Sequence, residues 1–183
     1  MKKGFTLIES LVAVTILMVA AAGPLFAANR AIVAAGIARD RLTASLLSQE
    51  GTEYIRLVRD NKYLQAYQTN QSTATTNGWS SFITAVANCD TSTVPTNACK
   101  INPTLYFGGT PTVTACVGGA CGQLYLTAGG YTYDSSGTQT KFIRSVQVAA
   151  ISSTEEVATS TVAWSYRGTT YSVVNTLHLT QWQ

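Results

Sequence analysis

Charge is what this chain has least of. Asp, Glu, Lys and Arg together make up 11% of its 183 residues, and the 20 residues between Glu9 and Arg30 contain none. The formal net charge is only +3, and Lys2 and Lys3 stand before that gap. The remainder is close to neutral, with Lys100, Lys141, Arg144 and Arg167 scattered, so the broad basic face typical of nucleic-acid-binding domains is not implied. Histidine is nearly absent too: His178 is the only one. It falls on the polar face of an expected strand, where an exposed or capping role fits and catalysis does not. The four cysteines, Cys89, Cys99, Cys116 and Cys121, form an even set and leave no thiol nucleophile once paired. Glu155 and Glu156 are adjacent, and adjacent strand residues point to opposite faces, so they cannot flank one substrate bond. The segment GYTYDSSGTQT reads as a turn, without the strand-to-helix setting of a phosphate loop. Trp164, Tyr166, Tyr171 and Trp182 read as core aromatics of strands. No catalytic constellation is left, so an enzyme is not expected and no cofactor or metal is implied.

What the chain does have is one long apolar run. As a helix, 20 residues span about 30 Å, the thickness of a bilayer's hydrocarbon core. Lys2 and Lys3 precede the run, so the positive-inside bias places the N-terminus in the cytoplasm and the bulk of the chain outside. The cysteines lie in the part that is exported, as an oxidising compartment favours. Hydrophobic residues make up 46% of the sequence, enough for one compact domain with an appendage.

Glu9 does not fit a plain apolar segment. A secretory signal keeps its apolar region uninterrupted before a small-residue cleavage site, for which Ala20 to Ala22 could serve, and Glu9 sits where that region should start. A plain single-span anchor also excludes it, because an unpaired carboxylate in lipid costs up to about 2.5–3.5 kcal/mol. The stretch KKGFTLIE, followed by an apolar helix, resembles the processing signal of type IV pilins and type II secretion pseudopilins. The resemblance implies cleavage after Gly4 by a prepilin peptidase and methylation of the new N-terminus, Phe5. Glu9 then stands at the fifth position of the processed chain. By the same resemblance its carboxylate meets the N-terminal ammonium of a neighbouring pilin or pseudopilin subunit as each leaves the membrane for a filament. Opposite unit charges 4 Å apart attract by about 4 kcal/mol at an effective dielectric of 20. Desolvation opposes much of that gain, so the pair sets axial register more than total affinity.

Beyond Arg30 the pattern becomes amphipathic. Leu42, Leu46, Tyr54, Ile55 and Val58 recur at three- and four-residue steps, which predicts an inward face. Arg39, Asp40, Arg41, Glu50, Glu53, Arg56, Arg59 and Asp60 are expected to form its solvated face. One helix from Phe5 to about Asn61 would run on the order of 85 Å. Gly23 and Pro24 predict a kink or break within it, because proline removes a backbone hydrogen bond and clashes one turn back. Pilins commonly carry helix breakers in this region, and the resemblance implies that the helix loosens there inside a filament. Gly36 and Gly51 are further weak points.

The expected organisation is a basic leader over residues 1–4, a transmembrane or filament-core helix over 5–29, its amphipathic continuation over 30–62, and an exported globular domain over 63–183. From Gln65 to Val94 the polar composition predicts a loop-rich connection, with a short helical turn at Trp79, Phe82 and Ile83. In TACVGGACGQLYL the two glycines suit a two-residue hairpin turn flanked by Val117 and Ala120. That places Cys116 opposite Cys121 with Cα atoms about 4.5 Å apart, within disulfide reach. Three pairings are possible, and the favoured one adds Cys89 to Cys99; the spacings do not fit the short knuckles of a zinc site. In the C-terminal third, Val146, Val148 and Ala150 alternate, and two arms turn near Arg167-Gly168. Val162, Trp164 and Tyr166 share one face of the first arm; Tyr171, Val173, Leu177 and Leu179 share one face of the second. The fold class is therefore α+β: a long N-terminal helix whose amphipathic half packs on a C-terminal antiparallel sheet. Two other functions stand beside the filament subunit: capture of DNA or a surface ligand by the exported domain, and an exported domain on a plain membrane anchor.

Overall fold

The computed structural model describes residues 6–103, 111 and 113–181. Gly4 and Phe5, and with them Lys2, Lys3 and Trp182, lie outside the described residues. The chain forms two compact units, Met1–Asp40 and Arg41–Gln183. Helix α1, Leu7–Thr69, supplies most of the first and opens the second.

Within the first unit the helix runs unbroken through Gly23 and Pro24, so the expected interruption does not take the form of a break. The proline ring fixes φ near the helical value, and the only hydrogen bond it forfeits is the one to the Ala20 carbonyl. A helix of 63 residues tolerates one missing rung.

The second unit is a helix-on-sheet layer. The described strands are β1 (Cys99–Ile101), β2 (Val113–Ala115), β3 (Gln123–Thr127), β4 (Gly130–Thr132), β5 (Thr138–Ser152), β6 (Glu155–Tyr166) and β7 (Thr169–Thr180). They make one sheet in which every ladder is antiparallel. β5 organises it: β6 and then β7 lie on one side, while β1 and β3 share the other. The long strands alternate strictly. Phe142, Arg144, Val146 and Val148 of β5 are buried, as are Glu156, Ala158, Ser160, Val162 and Trp164 of β6. The turn between β6 and β7 is Arg167-Gly168, with φ of 50° and 80°, the left-handed pair that a two-residue hairpin requires.

The part of α1 in this unit buries Ala44, Leu47, Ser48, Gly51, Thr52, Tyr54, Ile55 and Val58, a stripe of three- and four-residue steps. Leu42 and Leu46, expected in that stripe, are instead 62% and 58% exposed. At Gly51 the helix comes closest to the sheet: a Cβ built there would stand 2.1 Å from Ser160 Oγ and 2.7 Å from Ser160 Cβ. At that point the helix backbone rests almost directly on Ser160 of β6, and no side chain fits at residue 51 without a shift.

The helix also continues past Asn61 and residue 62 to Thr69. The polar stretch expected as a loop contains a 3-10 turn, Gln71–Thr73, and helix α2, Ala74–Val86. α2 crosses α1 where a Cβ on Gly78 would meet Tyr63 Cα at 2.8 Å. It buries Ala74, Trp79, Phe82 and Val86, and Trp79 Nε1 donates to Ser153 O at 3.0 Å. Trp79, Phe82, Tyr54, Ile55, Val58, Val146, Val148 and Leu179 form the main core; Ala44, Leu47, Leu124, Phe142, Val162 and Trp164 form a second cluster.

Candidate assembly interface

The first unit has no core of its own. Leu7, Ile8, Leu11, Ile16, Leu17, Met18, Val19, Leu25 and Phe26 are each more than half exposed, and apolar side chains occupy every side of the helix. Such a helix is soluble only in lipid or among other apolar helices. It is the one described helix long and apolar enough to cross a membrane. Its polar side chains are arranged for that medium: Ser10 Oγ donates to Leu7 O at 2.9 Å and Thr15 Oγ1 to Val12 O at 2.8 Å, so neither hydroxyl is left unpaired in an apolar setting. Arg30 closes the run, its guanidinium 5.1 Å from the Phe26 ring centroid.

Glu9 lies in the first turn of α1, where its backbone N–H donates to Thr6 O at 3.0 Å. A carboxylate there opposes the positive end of the helix dipole, an interaction of about 0.3–1 kcal/mol at an exposed site. Among the described residues no cation pairs with Glu9. The turn therefore presents an acid, at the end of an apolar surface, that an external ammonium can meet.

In the second unit the cysteines form two bonds, Cys89 to Cys99 with Cα atoms 5.2 Å apart and Cys116 to Cys121 at 4.7 Å. Val117 and Ala120 form an antiparallel bridge around Gly118 and Gly119, whose φ values of 57° and 79° suit glycine. β1 joins the two bonds, since Cys99 pairs with Ala115 and Cys116 N donates to Ala98 O at 2.8 Å. Among the described residues no group of three or more His, Cys, Asp or Glu could hold a metal ion.

The charged residues Arg144 and Asp40 are interior. Arg144 is fully buried and pairs with Glu50 of α1; it also donates to Ile101 O at 3.1 Å and Leu47 O at 3.4 Å. Glu50 keeps its side chain 39% exposed, whereas Asp40, assigned to the same solvated face, is 3% exposed. Arg59 is mostly covered as well, hydrogen bonded to Asp60 and to Thr180 O. Glu53 and Arg56 remain at the surface as a pair 3.0 Å apart. The Arg144 signal was present in the sequence, because it keeps step with Phe142, Val146 and Val148. Its burial also removes one of four scattered basic residues, and Lys100, Lys141 and Arg167 each lie against tyrosine rings.

Glu156 keeps step with Ala158, Ser160 and Val162 in the same way. It is 6% exposed, its Oε2 has no hydrogen-bond partner, and its pKa is pushed up to about 7, first by loss of solvent and then by the charge of Asp90. Burial raises the Tyr133 hydroxyl, partly offset by Arg144, and that hydroxyl donates to Arg144 O. Glu155 points the other way and meets His178 Nδ1 at 2.7 Å, so the two acids stand on opposite faces. Neither arrangement provides an open cleft with converging groups.

No curated protein and no solved structure matches the chain. Residues 1–23 match the family model of the prokaryotic N-terminal methylation motif, and the N-terminal stretch is accordingly the prepilin signal of type IV pilins and pseudopilins.

Proposed function

We propose that this chain is a structural subunit of a type IV pilus or pseudopilus, cleaved after Gly4 and N-methylated at Phe5. The apolar helix holds it in the membrane as a single span with the second unit exported, and then becomes its contact with other subunits. A prepilin peptidase and other pilin or pseudopilin subunits are its partners, and it carries out no catalysis. One observation carries this reading: a lone carboxylate, Glu9, in the first turn of a helix that is apolar on all sides, within the methylation motif matched over residues 1–23. In lipid that acid is a cost; opposite a freed, methylated ammonium of another copy it becomes a register mark. Loosening of the helix at Gly23-Pro24 on entry into the filament belongs to the same proposal.

The test is a Glu9→Val chain expressed beside its own assembly machinery. Cleavage after Gly4 should proceed as in the parent, while incorporation into filaments sheared from cells should fall by about tenfold or more, the loss of a charge pair of about 1.4 kcal/mol. Full incorporation of Glu9→Val would contradict the role given to the carboxylate.

A further inference from the structure

β7 is an open sheet edge. All 12 of its residues pair with β6, and among the described residues it pairs with no other strand. Exposed edges are ordinarily blunted by brevity, bulges, proline or charge. β2 and β4, the other outer strands, have three residues each. β7 has none of these protections: its sequence, TTYSVVNTLHLT, contains no Asp, Glu, Lys, Arg or Pro, and its register with β6 has no shift. The core also thins at this edge. Tyr171, Val173 and Leu177 are only half buried, whereas the β6 residues opposite them, Trp164, Val162 and Ala158, are 3%, 0% and 0% exposed. On the other face Val174 is 56% exposed.

A strand added here would satisfy the outward backbone groups and cover the flanks of those apolar side chains. Its length and neutrality must match. Among the described strands β5 carries Lys141 and Arg144, β6 carries Glu155 and Glu156, β1 carries Lys100, and β3 is already paired on both sides. Only β7 itself is long, uncharged and free on one side. We propose that β7 binds β7 of a second copy of this chain, antiparallel, making one continuous sheet across two molecules. In a register centred on Val174, His178 lies opposite Thr170 and Tyr171 opposite Leu177 of the other copy, so neither titratable side chain of the strand faces itself. A two-fold pair is closed and does not propagate. It is an association of exported units distinct from polymerisation through the apolar helix.

The full chain in detergent micelles, followed by mass under native conditions and by hydrogen exchange, tests this. The parent should be dimeric, with amides of residues 169–179 becoming less protected on dilution while those of β5 and β6 stay unchanged. Val174→Lys with Thr176→Lys should weaken pairing by about tenfold or more through like charge. Val174→Glu with Thr176→Glu should do the same, and mixing the two variants should restore the pair. A dimer that both charged variants retain, open-ended larger species, or a mixture that stays monomeric would each overturn the proposal. Unchanged protection of β5 and β6 separates lost pairing from lost folding.

Discussion

At the scale of single residues, the second unit keeps charges where cores normally hold none. Among the described residues the guanidinium of Arg144 pairs with Glu50, and the two differ sharply in exposure, 0% against 39% for the side chains. Removing Glu50 strands a buried cation, whereas removing Arg144 leaves a carboxylate that water can reach. Glu50→Ala should therefore cost about 3 kcal/mol, and Arg144→Met distinctly less, in denaturant unfolding of the full chain in micelles followed by the circular dichroism of the sheet. Glu156 gives a pH dependence of known sign. Its folded-state pKa is raised to about 7 from an ordinary 4.5, so the folded chain binds the extra proton and stability is favoured at low pH. That contribution is lost as pH rises through the window between those values. The parent should lose up to about 3 kcal/mol across it relative to Glu156→Gln, which should be flat. Asp90, whose charge acts on Glu156, sits in the loop closed by the Cys89–Cys99 bond and hydrogen bonded to β5, so loop amides should report the same transition. Both buried charges were legible as breaks in an apolar alternation. Their partners were not, because a strand pattern says which face a residue takes and nothing about what lies above it.

At the scale of elements, local chemistry and tertiary packing divide what a sequence discloses. The hairpins at Gly118-Gly119 and Arg167-Gly168 follow from backbone requirements written in two residues, and the alternation of β5, β6 and β7 follows from one buried face. α2 was legible only as a short helical turn at Trp79, Phe82 and Ile83, because ATTNGWSSFITAV is rich in Ser, Thr and Asn, which favour turns in isolation; its full helix is stabilised by burying Trp79, Phe82 and Val86. The inward stripe of α1 was misread at Leu42 and Leu46 because hydrophobicity alone does not report how closely a helix approaches a sheet. Gly51 does. Gly51→Ala should destabilise the second unit by about 1–3 kcal/mol despite its better helix propensity, since Ser160 Cβ stands in the way and cannot rotate aside. Ser160→Gly in the same chain should recover most of that loss, a coupling that a double-mutant cycle measures. Additive costs would show that the contact is not what excludes a side chain at residue 51.

At the scale of the whole molecule, the sequence divides the work between an apolar helix that buries nothing internally and a helix-on-sheet unit that buries its own core. The class α+β was legible because a membrane-length apolar run and a strand-rich C-terminus differ in period and composition. Which exposed surfaces meet other molecules was less so: the apolar helix announces its need for lipid or partners, while the open edge of β7 emerges only from strand order. The central claim is that processing creates a free N-terminus for Glu9 to pair with in another copy. The most direct measurement is the intact mass and N-terminal sequence of the protein taken from assembled filaments. The account predicts a chain beginning at Phe5 and carrying one added methyl group; a chain that still begins at Met1 would contradict it.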